Sequence, residues 1–185
     1  MGLDMNLKVR NPLYESEKEA FDALKAIDSL PWKVYSGMSK SGLLPFVDVC
    51  YWRKANMVHN FLMECDGRWV DGFGGDDHDC GYKHIPNGEI DRLIEICKTI
   101  VEQGFEYDGK HHDTVTTCSV GLCSGEASFD ADFARENLPT TEGFFFGSYS
   151  YDGYYLYDVA YTYEKLSALK EQGALDGDLY YCPWW

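Results

Sequence analysis

The segment Tyr51-Trp52-Arg53-Lys54-Ala55-Asn56, with His59 one helical turn further on, is the sharpest cluster of chemistry-bearing side chains in this chain. Arg53-Lys54 is its only adjacent basic pair. The pair falls where an extended segment gives way to helical spacing, and a helix N-terminus adds unbonded N–H donors and positive potential. Such a junction suits a phosphate or a carboxylate. Arg53, Lys54, Asn56 and His59 are therefore candidate anion-binding residues, of the kind a small enzyme or nucleotide-binding protein uses. The competing reading is that Arg53 and Lys54 pair with the protein's own carboxylates while Trp52 packs in the core, since exposed ion pairs are common and individually weak. A single helical histidine such as His59 is more often a core or surface residue than a catalyst.

Two other stretches hold metal-donor side chains. Asp76, Asp77, His78, Asp79, Cys80 and His84 form one set, and His111, His112, Cys118 and Cys123 another. Structural zinc normally shows two closely spaced ligand pairs, and Cys118 with Cys123 lacks a matching second pair. The Asp-rich loop lacks the spacing and terminal Glu of an EF-hand. A solvated acidic loop is the reading for residues 71–81, and neither a metal nor a cofactor is expected. G-x-S-x-G, P-loop and G-x-G-x-x-G patterns are all missing, so the motifs weigh against an enzyme.

The C-terminal quarter differs in kind. Of the chain's 29 aromatic residues (14 Tyr, 10 Phe, 5 Trp), residues 143–185 contain 14, many beside acids. On a helix over 151–172, Tyr151, Tyr155, Val159, Thr162, Leu166 and Leu169 form a core stripe, and Tyr154, Tyr157 and Tyr161 lie on a neighbouring face beside Asp158. Exposed tyrosine among carboxylates suits protein binding, whereas an aromatic stripe at helical spacing is usually core. Asp130, Asp132, Glu142, Asp152, Tyr154, Tyr157, Asp158 and Tyr161 are the candidate partner-binding residues.

Charge sharpens that expectation. The chain carries 31 acids and 16 bases, a formal charge of −15, and the half from residue 93 onward holds 16 of those acids but only 5 bases. A one-signed field of this size repels nucleic acid and anionic membrane and attracts cationic partners. No apolar run approaches the ~20 residues of a spanning helix. Met1-Gly2-Leu3-Asp4-Met5 does not open a basic-then-apolar secretory signal. Seven scattered cysteines without a C-x-x-C fit a reducing compartment, and a cytoplasmic location is expected.

The elements that must position these residues follow from periodicity. Leu3, Met5, Leu7 and Val9 alternate as a strand. Ser16 and Glu19 form a capping box for a helix to Ser29 with Ala20, Phe21, Leu24 and Ile27 inward. Pro45–Trp52 reads as a strand and the residues from Arg53 as a helix. Helices are also expected from Asn87 to Gln103 and over Asp130–Asn137, with strands at Gly143–Ser148 and Leu179–Cys182. The order β-α-β-α-α-β-α-β predicts an α+β fold, a short and mainly antiparallel sheet with helices packed on one face, in a single domain over residues 1–185.

The chain also resembles a group of small bacteriophage and mobile-element proteins of unassigned activity. Met1-Gly2-Leu3-Asp4-Met5, Tyr51 through Asn56 with His59, Gly143-Phe144-Phe145-Phe146-Gly147-Ser148, Tyr151-Asp152, Tyr154-Tyr155 and Tyr180-Tyr181 with Trp184 carry the likeness, whereas 11–45 and 105–135 look peculiar to this chain. The resemblance implies a protein acting inside a bacterial host and brings no catalytic residues with it. Small acidic proteins of that origin often act against host defence. The leading expectation is an anti-CRISPR-like inhibitor that occupies the basic groove of a CRISPR or restriction nuclease, with no direct nucleic-acid or membrane contact. The alternative is the small enzyme or anion-binding protein built on Arg53, Lys54, Asn56 and His59.

Overall fold

The computed structural model describes residues 2–28, 44–70, 81–104, 131–143 and 146–184. Along them run β1 (Asp4–Arg10), α1 (Glu17–Asp28), β2 (Phe46–Arg53), α2 (Asn56–Glu64), β3 (Arg68–Trp69), β4 (Lys83–Ile85), α3 (Asn87–Gly104), α4 (Ala131–Asn137), α5 (Gly153–Glu171) and β5 (Leu179–Trp184). The strands form one antiparallel sheet in the order β2-β1-β5-β4-β3. The fold is α+β. The alternating residues of the first strand make it an interior strand, between β2 and β5, with Leu3, Met5 and Leu7 fully buried.

One irregularity assigns residues to the two faces. Leu7 pairs with Cys50 but Lys8 pairs with Asp48, so Val49 is an extra residue in β2. Such a bulge reverses the inward and outward alternation beyond it. Cys50 and Trp52 therefore join Met5 and Leu7 in the main core, while Phe46 turns to the opposite face. Helices α2, α3, α4 and α5 all contribute to that main core on one face. Helix α1 instead covers Phe46 and Tyr180 on the other, through Ala20, Phe21 and Leu24. The Phe21 ring meets Tyr180 edge-on at 5.5 Å between centroids, a favoured aromatic geometry.

Burial on α5 follows the expected stripe: Tyr155, Val159, Thr162 and Leu166 are buried, with Tyr151 and Leu169 packed at its edge. Trp52 Nε1 donates to Thr162 Oγ1 (2.9 Å), which ties β2 to α5. Lys83 is buried, and its ammonium donates to three carbonyls at the end of α2, those of Leu62 (3.0 Å), Met63 (2.7 Å) and Cys65 (2.8 Å). A cation there satisfies orphan carbonyls and opposes the negative end of the helix dipole.

Three differences from the sequence reading stand out. Phe146, Gly147 and Ser148 are loop, not strand; Gly147 has φ of 89°, and the side chain of Asn56 bonds two of the carbonyls that a ladder would need. The sheet is completed instead by β3 and β4, too short to show a period of two. The helix after β2 begins at Asn56 rather than Arg53, because Lys54 has φ of 62°, a left-handed turn that no helix interior contains. Cys50, Cys65, Cys97 and Cys182 are buried free thiols. Among the described residues no helix is long and apolar enough to cross a membrane.

Candidate functional site

Strand β2 hands over to α2 within two residues. Lys54 N still donates to Leu3 O (2.8 Å), extending the sheet by one rung, and Asn56 N turns back to Lys54 O (2.9 Å). The left-handed Lys54 makes this corner, at a cost of about 1–2 kcal/mol for a residue with a Cβ. Two glycines make room for it. A Cβ on Gly2 would lie 3.2 Å from Lys54 Cε, and one on Gly147 would lie 3.2 Å from Lys54 Cβ.

Asn56 is 1% exposed and holds the loop that carries Gly147. Its Nδ2 donates to Phe146 O (3.1 Å) and Ser148 O (2.7 Å), and its Oδ1 accepts from Thr141 N (3.3 Å). His59, also buried, shares a 2.6 Å hydrogen bond between Nδ1 and the Tyr181 hydroxyl and sets its ring against Phe146. Burial lowers its pKa to about 4, so the imidazole is neutral at pH 7. The four residues of the anion-binding expectation therefore divide. Arg53 and Lys54 are exposed at the corner, whereas Asn56 and His59 stand behind them as supports; a neutral, enclosed imidazole offers an anion no charge.

Helix α5 forms the facing wall. Asp152 caps it, its Oδ1 accepting from Tyr154 N (2.9 Å) and Tyr155 N (3.2 Å). Such a cap contributes about 1 kcal/mol. Between the corner, the loop and this helix lies a cavity of about 380 Å³. Arg53, Lys54 and Met57 line it from the β2–α2 corner, Gly147, Ser148 and Ser150 from the loop, and Asp152, Tyr154, Tyr157 and Asp158 from α5.

Asp158 is the unusual group. It is half-buried where it lines the cavity, and its carboxyl makes no hydrogen bond or ion pair among the described residues. Burial, with a smaller contribution from the Asp152 charge, raises its pKa to about 7. A carboxyl that exchanges its proton near neutrality, in a cleft also lined by Arg53 and Lys54, is a recognised mark of a functional site. Its backbone carbonyl accepts from Thr162 Oγ1 (2.6 Å), the same hydroxyl that receives Trp52 Nε1, so the turn bearing Asp158 is fixed to the sheet.

The partner-binding expectation is dispersed. Asp152 is engaged as a cap and Asp158 faces the cavity. Asp132 pairs with Arg135 (2.9 Å) on α4, and Glu142 is exposed. Tyr161 bends to donate to Tyr51 O (3.1 Å) at the outer edge of β2. Tyr157 is half-buried at the cavity and Tyr154 is 56% exposed at its rim. Asp130 lies outside the described residues. Elsewhere carboxylates are met by cations, Asp48 by Lys8, Asp178 by Arg10, Glu17 by Arg68 and Asp91 by Lys170. Of the metal-donor stretches, His84 packs against Tyr180. Asp76, Asp77, His78, Asp79, Cys80, His111, His112, Cys118 and Cys123 lie outside the described residues.

Sequence reasoning had separated the basic pair from the acidic, tyrosine-rich helix; the fold brings them to opposite walls of one cavity. It also missed Met57, Ser148 and Ser150, of which only the Gly147-Ser148 turn gave a local signal. No family model, curated protein or solved structure matches this chain.

Proposed function

We propose that this protein binds a small phosphate-bearing molecule, a mononucleotide, in the cavity between the β2–α2 corner and α5. The observation that supports it is the convergence of Arg53 and Lys54 with Tyr154, Tyr157 and Asp158 around about 380 Å³, a size typical of small-molecule sites. Lys54 has no ion-pair partner among the described residues, and Arg53 has only a long contact with Asp4 (3.9 Å). Both cations are thus open to an incoming anion. The tyrosines supply faces for a planar ring. In a thermal-shift titration, mononucleotide at a hundred times its dissociation constant stabilises the fold by about 2.7 kcal/mol, and Arg53→Ala with Lys54→Ala abolishes the shift. Unchanged melting with mononucleotides and inorganic phosphate alike would remove the reading.

A second reading, docking on a basic host nuclease, draws on one observation: Tyr149 (44% exposed) bonds Gly143 O (3.1 Å) beside exposed Glu142, and Tyr154 (56%) is exposed on α5. It requires salt-sensitive, stoichiometric inhibition that weakens when Glu142 and Tyr154 are replaced together. Among the described candidates Asp132 pairs with Arg135 and Asp152 caps α5, so the small-molecule reading takes precedence.

A further inference from the structure

We propose that Asp158 selects the base of the bound nucleotide, and that the preferred ligand is a nucleoside monophosphate whose base carries an exocyclic amino group. The inference rests on the reading of the cavity as a mononucleotide site and adds to it a specificity residue. Three observations on opposite sides of the space carry it. Arg53 and Lys54 stand at the corner wall, where a phosphate finds both its counter-charges. Tyr154, Tyr157 and Asp158 stand on α5 at spacings of three and four, which puts them on one helical strip. A ring lying against the tyrosines therefore brings one edge to Asp158.

The chemistry of that edge is set by what Asp158 lacks. An ionised carboxylate is an acceptor only, and this one has no donor among the described residues. Within the described residues only water can meet this carboxylate where it faces the cavity, and a ligand N–H that replaces that water makes a charge-assisted hydrogen bond. The amino group of adenine or cytosine is such a donor, and carboxylates read cytosine N4 in the same manner on DNA. The same carboxylate repels a phosphate, which fixes the ligand's direction: phosphate to Arg53 and Lys54, amino edge to Asp158. Asp152 already receives two backbone N–H groups on Oδ1 and the Ser148 hydroxyl on Oδ2 (3.5 Å), which leaves Asp158 the less engaged of the two acceptors.

The test compares, by calorimetric titration at pH 8, AMP with purine riboside 5′-monophosphate, which differs from it only in lacking the amino group, and with ribose 5-phosphate. AMP is expected to bind about tenfold or more tightly than the deaminated analogue, as loss of a hydrogen bond to a charged group implies. Asp158→Leu should reduce that ratio to near one while leaving ribose 5-phosphate binding in place. Arg53→Ala should weaken all three ligands and preserve the ratio. Equal affinity of the wild-type protein for AMP and its deaminated analogue would overturn the inference yet keep the nucleotide site. Failure of all three ligands to bind would overturn the nucleotide site itself. The wild-type comparison alone decides the matter if Asp158→Leu does not fold.

Discussion

Gly147 packs directly on Lys54: a Cβ added to the glycine would stand 3.2 Å from Lys54 Cβ and 3.3 Å from its carbonyl oxygen, and both residues have positive φ, 89° and 62°. The loop and the strand–helix corner thus support each other where the cavity opens. Gly147→Ala is expected to destabilise the protein by about 1–2 kcal/mol, from the left-handed backbone and the close approach together. It should also weaken anion binding, because the loop cannot move away without shifting Lys54. Lys54→Gly separates the two effects. It relieves the strained corner, so stability should hold within about 0.5 kcal/mol, while nucleotide binding falls. Urea melts and ligand titrations on both variants check this.

Asp158 and His59 oppose one another in pH dependence. The folded state holds the Asp158 proton up to about pH 7, whereas an unfolded Asp releases it near 3.9. The native state therefore binds more protons between those values, and stability falls as pH rises from about 4 to 7. The ionisable groups nearest the carboxyl are Asp152, Tyr157 and Tyr161, with Arg53 and Lys54 lining the same cavity. Asp158→Asn should remove the loss and leave a protein more stable than wild type at pH 8. The gain is at most about 4 kcal/mol before solvent in the cavity is allowed for.

For His59 the sign reverses. The unfolded imidazole takes up its proton near pH 6.5, but the buried one resists until about 4. Its contribution is complete above pH 6.5 and is lost as pH falls through that interval. The two slopes partly cancel in the wild-type protein. Chemical denaturation between pH 4 and 8 should show Asp158→Asn gaining stability steeply from pH 4 to 6.5. His59→Gln should instead lose stability as pH rises over the same range.

The ammonium of Lys83, enclosed beneath the end of α2, is expected to be among the most sensitive positions in the fold. Lys83→Met keeps the volume but leaves the carbonyls of Leu62, Met63 and Cys65 without their common donor. A loss of about 3 kcal/mol is expected, seen as a lower urea midpoint with α2 amides exchanging faster. A change below about 1 kcal/mol would contradict the role assigned to Lys83.

Much of the framework was legible in the residues themselves. The alternation in β1, the Asn87 start of α3 and the Tyr155–Val159–Thr162–Leu166 stripe each report a local period that tertiary packing keeps. Val49 was not legible, because a bulge depends on how the partner strand aligns, and it alone decides that Phe46 meets α1 rather than the main core. Lys83 carries no local signal of its role, since the carbonyls it serves lie some 20 residues earlier. Arg53 and Lys54 were recognisable from adjacency, but their sharing a cavity with Asp158 spans about 100 residues and left no mark on local spacing. Asn56 and His59 were read as part of the same chemistry because helical neighbours share a side; here that side faces a loop and a strand, not solvent.

The position of β1 in the sheet has a consequence for synthesis. Its two edges are claimed by β2, available early, and by β5, whose register joins Val9 to Leu179 and Asp4 to Trp184. A chain growing at ~5–20 residues per second must therefore leave this interior strand half-paired on the ribosome until the last of these residues emerges. Throughout that interval, a β1–β2 pair with one unmatched hydrogen-bonding edge is the species most prone to associate with its neighbours on a polysome.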